Sequence, residues 1–97
     1  MIFEWDENKN DANIRKHGMS FQLASSVFSD PNRMEYWDET HSSLFEDRYI
    51  TIGRIADTVI IVVVVYADRA GTIRIISARC ASKKEEREYY VDSQNNA

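Results

Sequence analysis

The chain has 97 residues, enough for one domain with a modest core. Its 43% apolar content argues against disorder over most of its length, and its net charge of −4 argues against a broadly basic surface for nucleic acid. The longest apolar run, Val59 to Tyr66, is far too short to span a bilayer.

Ile2 to Trp5 reads as a short strand, and no basic region followed by an apolar stretch marks a secretory signal there. Asp6 is placed to cap a helix from Glu7 to His17, closed by Gly18 in the left-handed conformation. Ala12 and Ile14 are its only apolar interior residues, so this helix is expected to be mostly solvated or covered by something else. Ser20 caps the next helix, in which Phe21, Ala24, Val27 and Phe28 form one apolar stripe with Leu23 nearby. Asp30-Pro31 ends it. Met34, Tyr36 and Trp37 fit a short edge strand, and Asp38 to Ser43 a loop.

From Arg48 the period becomes two. Arg48, Ile50, Ile52 and Arg54 share one face of a strand ending at Ile55, and Ala56-Asp57 reverses the chain. Thr58 to Ala67 is almost wholly β-branched and apolar on both faces, which marks the central strand. Asp68 to Gly71 reads as a turn, with Gly71 supplying the positive φ. Thr72 to Ser82 is the third strand. Short connections make these three an antiparallel meander. Strict alternation puts Ser77 and Arg79 on one face with Ile73 and Ile75, and Arg74 on the other with Ile76, Ala78 and Cys80, unless a bulge re-aims one of them. Ser82 and Glu85 form a capping box for a last helix from Lys83 to Val91, and Ser93 to Ala97 is expected to fray. The fold class is therefore α+β, a single domain over residues 1–97, with N-terminal helices on a small, mainly antiparallel sheet and a C-terminal helix.

Cys80, the one cysteine, reads as a small core residue, and with no possible internal disulfide a reducing cytoplasm is the expected location. Neither His17 nor His41 has ligand-like spacing, so no metal or cofactor site is expected. What remains is a set of strand arginines around an apolar floor. Arg48 and Arg54, with Ser77 and Arg79, would stand at its rim, where the donor fork of arginine suits phosphate oxygens. Glu46, just before the first of these strands, and His17 are candidate proton acceptors.

Several segments resemble the BrnT family of type II toxins, which are similar to RelE-like endoribonucleases. They are Phe3-Glu4-Trp5-Asp6, Asn13 to Phe21, Ala24 to Phe28 with Asp30-Pro31, Glu46 to Ile50, Ile52-Gly53-Arg54, and Arg74 to Tyr90. The resemblance implies a RelE-like fold and metal-independent RNA cleavage that restrains translation. It implies a BrnA-like antitoxin whose ribbon-helix-helix domain contacts operator DNA, and no membrane partner. By resemblance, His17, Glu46, Arg48, Arg54, Ser77 and Arg79 are the site residues. Glu46 or His17 would take a proton from the RNA 2′-hydroxyl, the arginines would stabilise the phosphoryl charge, and Ser77 would orient a phosphate oxygen. The acidic balance keeps a second reading open, a catalytically silent partner of the antitoxin that acts as co-repressor.

Overall fold

In a computed structural model describing residues 1–95, three helices and a 3₁₀ turn flank a five-stranded sheet. The elements are β1 (Ile2–Glu4), α1 (Glu7–His17), α2 (Phe21–Ala24), the 3₁₀ turn Ser25–Ser29, β2 (Met34–Trp37), β3 (Tyr49–Arg54), β4 (Ile61–Arg69), β5 (Thr72–Cys80) and α3 (Lys83–Asn95). The sheet order is β1-β5-β4-β3-β2. Strands β2 to β5 pair antiparallel in chain order, and β1 returns to lie parallel to β5. The sheet thus gains β2 at one edge, and β4 sits at its centre.

Local signals set the helix ends. The Asp6 carboxylate accepts from the Lys9 N–H, and Gly18 closes α1 at φ 67. Ser20 caps α2 through the Leu23 N–H. The expected second helix is interrupted after Ala24, where the Ser25 and Ser26 hydroxyls donate to the Gln22 and Leu23 carbonyls. Such back-bonding competes with helical hydrogen bonds and bends the backbone, here into the tighter 3₁₀ turn. Its apolar stripe survives: Phe21, Ala24, Val27 and Phe28 are all buried, while Leu23 is exposed.

That stripe packs with Met19 on one face of the sheet, against Ile55, Val62, Val64, Tyr66, Ile73, Ile75 and Ala78. Gly53 lets the 3₁₀ turn approach β3, because a Cβ there would lie 2.7 Å from Val27 Cγ2. The other face carries a smaller core of Met34, Ile52, Ile61 and Val63 under Tyr89 of α3. The two layers are tied by Asp30, whose Oδ2 accepts from the Arg54 N–H and from the Tyr89 hydroxyl. Burial and this bond push the Tyr89 hydroxyl up to about 12. Burial also pushes the Asp30 carboxyl up, but the Tyr89 bond, the Arg54 and Asn32 N–H groups and the Arg54 charge outweigh it and hold Asp30 below the usual range.

Several expectations change. β4 begins at Ile61 rather than Thr58, because Ile55 N–H bonds to the Ile60 carbonyl and the Thr58 hydroxyl to the Ile55 carbonyl, closing a wider turn. β4 then runs on to Arg69, because Ala70 and Gly71 alone reverse the chain, at φ 55 and 90. A two-residue turn with both φ positive matches the twist of the flanking strands. α3 extends past Val91 to Asn95, so the tail expected to fray is helical up to there, and residues 96–97 lie outside the described residues. Cys80 is exposed rather than in the core, because helical cover over β5 ends at Ala78. Among the described residues no helix is long and apolar enough to cross a membrane.

Candidate functional site

The register of β4 against β5 decides which polar residues meet. Val65 pairs with Ser77 but Tyr66 pairs with Ile75, so Ile76 is an extra residue in β5. Strict alternation fails at this bulge. Ile73 and Ile75 before it and Ala78 after it all enter the core under the N-terminal helices. Arg74, opposite Ala67, Ser77, opposite Val65, and Arg79, opposite Val63, therefore all face the other way. The expectation that Arg74 and Arg79 point to opposite faces is corrected by this one inserted residue. Its trace in the sequence is the doublet Ile75-Ile76, where alternation breaks.

On this second face α3 covers only the part over Met34, Ile52, Ile61 and Val63. Arg48, Ser77 and Arg74 remain half-buried beyond it, on a floor that includes Val65 and Ala67. Arg48 Nε lies 3.1 Å from Glu46 Oε1. Arg69 reaches the same carboxylate through Nε at 2.9 Å and Nη2 at 3.2 Å. Glu4, on β1, lies 3.9 Å from Arg69 and 3.6 Å from Arg74. Arg48, Glu46, Arg69, Glu4 and Arg74 thus form a continuous chain of three cations and two anions. Its sum is one positive charge, a local cationic spot on an acidic protein. The Arg69 bond, then the charges of Arg69 and Arg48, outweigh partial burial and hold the Glu46 carboxyl below its usual range. Glu46 is therefore an anion at neutral pH.

The segment before β3 is built to hold Glu46. Ser42 Oγ accepts from the Arg48 N–H at 2.8 Å, and Asp38 N–H donates to the Arg48 carbonyl at 2.8 Å. Ser43 Oγ accepts the N–H groups of both Phe45 and Glu46. The buried Asp38 carboxylate accepts from Thr40 N–H and bonds to the His41 ring.

The six residues expected to form the site fall into four places. Glu46, Arg48 and Ser77 share the open part of the second face. Arg54 lies at the far end of β3, its guanidinium 6.0 Å from the centre of the Tyr89 ring and its buried Nε without a hydrogen-bond partner. Arg79 makes a two-point ion pair with Glu85 at 2.8 and 2.9 Å. That contact, aided by the Ser82 capping bonds, holds the Glu85 carboxyl down at about 2. His17 is exposed at the end of α1, in the helical layer on the opposite face. Arg69, Arg74 and Glu4 are the additions. Arg69 was read as a turn residue, and only the short Ala70-Gly71 reversal keeps it in β4 on the second face.

A family model described as "Ribonuclease toxin, BrnT, of type II toxin-antitoxin system" matches residues 5–85. No curated protein matches the chain.

Proposed function

The chain belongs to the BrnT family of type II toxin-antitoxin ribonuclease toxins, and from that premise we propose that the open part of its second sheet face cuts RNA without a metal ion. The observation that carries the assignment is the bulge at Ile76, which brings Arg74 and Ser77 to the same face as Arg48 and Glu46.

In the proposed reaction an RNA phosphate docks on Arg48 and Arg74, and Ser77 donates a hydrogen bond to one of its oxygens. Guanidinium donors bond phosphate in the same two-point geometry as carboxylate, so a docked phosphate competes with Glu46 for the arginines. With its counter-charges engaged elsewhere, the Glu46 carboxyl regains basicity and takes the proton of the 2′-hydroxyl. The 2′ oxygen bonds to phosphorus, the bond from phosphorus to the 5′ oxygen breaks, and that oxygen takes a proton from water. Arg48, Arg74 and, after release from Glu46, Arg69 stabilise the charge on the phosphoryl oxygens. Glu46 alone takes the role of proton acceptor, since His17 lies across the sheet. Arg54 and Arg79, bound up with Tyr89 and Glu85, position α3 instead of touching substrate.

The helix-covered and half-open faces support a RelE-like ribonuclease fold. By family, the activity restrains translation in the cytoplasm, and a BrnA-like antitoxin with a ribbon-helix-helix domain neutralises it and carries the pair to operator DNA. Expression without the antitoxin tests the proposal: growth arrest with fragmented RNA is expected, and Arg48→Ala and Arg74→Ala should each relieve it. Intact toxicity in both variants would refute the residue assignment.

One observation favours a second reading. Arg48, Arg69 and Arg74 each already have a carboxylate partner in the resting protein, as suits a silent module kept for antitoxin binding and co-repression. Normal growth and intact RNA on expression alone would select it.

A further inference from the structure

Phe45 is 96% exposed and Leu44 is fully exposed, beside the carboxylate that the site depends on. Adjacent exposed apolar side chains rimmed by polar residues mark contact surfaces. Here the turn that carries Phe45 is also held in place. The Ser43 hydroxyl that accepts the Glu46 N–H also accepts the Phe45 N–H, at 3.2 Å each, and Ser43 N–H bonds back to the Glu46 carbonyl at 3.0 Å. The turn that orients Glu46 therefore holds the Phe45 ring out into solvent.

An open cavity of about 620 Å³ lies between Phe45 and the β4–β5 turn, with Glu46, Asp47, Tyr49, Asp68 and Arg69 also on its walls. Three carboxylates, Glu46, Asp47 and Asp68, share its walls with one arginine. Arg69 stands on the side of the cationic chain. Asp68 stands at the turn, where its Oδ1 accepts the Gly71 N–H at 2.9 Å. Its other oxygen accepts no hydrogen bond from the described residues. A carboxylate offers only acceptors and repels phosphate, whereas an aromatic face accepts any base. The ligand that satisfies both walls carries an aromatic ring with N–H donors on its edge and a phosphate next to it.

We infer that this cavity seats one unstacked base of a single-stranded RNA, stacked on Phe45 with its donor edge toward Asp68, and that guanine fits best. Guanine presents two adjacent N–H donors on its Watson–Crick edge, which the free Asp68 oxygen and the remaining lone pair of Oδ1 can accept. The base would lie one nucleotide from the phosphate held by Arg48 and Arg74. The inference rests on the ribonuclease reading and adds to it a substrate class, single-stranded RNA, and a residue that selects the cleavage site.

The test uses the purified full chain and short single-stranded RNAs carrying one guanosine, or inosine or uridine in its place. Phe45→Ala should raise KM roughly 5- to 100-fold, the range of a lost base-stacking contact, while kcat stays near wild type. Phe45→Trp should restore KM. Inosine, which lacks the 2-amino group, should raise KM for the wild type but much less for Asp68→Asn, which keeps the Gly71 contact. A wild type that cleaves all three RNAs equally, or a Phe45→Ala variant with unchanged KM, overturns the base seat while leaving the ribonuclease intact. Unchanged KM with weakened neutralisation by co-expressed antitoxin would assign Phe45 to the protein partner and overturn it too. A wild type that cleaves no RNA removes the ribonuclease reading itself, and the base seat with it.

Discussion

Beneath the N-terminal helices, Phe21, Val27, Val62 and Val64 are sealed from water, and the two polar side chains buried with them are pinned to backbone. Asn13 donates to the carbonyls of Met19 and Ala78 and accepts the Ala78 N–H, closing an edge of β5 that the short β1 leaves open. Thr51 donates to the Met34 carbonyl. Across the sheet, Arg48, Arg69 and Arg74 bond only to carboxylate side chains at partly exposed positions. The difference is one of replaceability. A buried group bonded to backbone has no second state open to it, since breaking the bond strands a donor or acceptor away from water. A half-exposed ion pair is worth little to stability and exchanges readily for a better partner. The closed face and α3 therefore carry stability, and the open part of the second face is free for chemistry.

The largest expected effect concerns the boundary between the two parts of the second face. Tyr89, 1% exposed, anchors α3. Tyr89→Ala should destabilise the fold by about 3–5 kcal/mol, the range for deleting a buried aromatic side chain, in chemical denaturation. Next, Arg48→Ala should lower RNA cleavage roughly 10²–10³-fold, as for other preorganised donors, while stability stays within about 0.5 kcal/mol of wild type. A large loss of stability with full activity would erase the contrast between the faces. On the closed side the pattern should invert. Asn13→Ala strands the Ala78 backbone groups and should cost about 1–3 kcal/mol, with cleavage per folded molecule unchanged. Gly53→Ala forces a Cβ against Val27 and Arg33 and should cost about 1–3 kcal/mol by overpacking.

The smallest effect is one of pH. Because Arg79 holds the folded Glu85 carboxyl at about 2, against an ordinary value of 4.5, their pairing stabilises fully above 4.5 and fades as pH falls toward 2. Melting temperatures of wild type and Glu85→Gln should converge across that window. Parallel curves would mean that Glu85 does not hold α3 through its charge.

Sequence alone determined what neighbouring residues settle among themselves. The caps at Asp6, Gly18 and Ser20, the Ser82–Glu85 box, the buried stripe from Phe21 to Phe28 and the two-sided apolar strand β4 all follow from contacts within a few positions. Of the site, sequence identified Glu46 and Arg48 as neighbours and Ser77 as a strand residue. The remaining site geometry comes from strand pairing. Ile75 and Ala78, three residues apart, both enter one core, which a regular strand forbids and the extra residue Ile76 allows. That choice is made where β5 meets β4, and it alone turns Arg74 toward the open face. Arg69, 23 positions after Glu46, likewise meets it only once the strands between have paired. Periodicity specifies a face while alternation lasts; where it breaks, the packing of both cores decides which side chains the site receives.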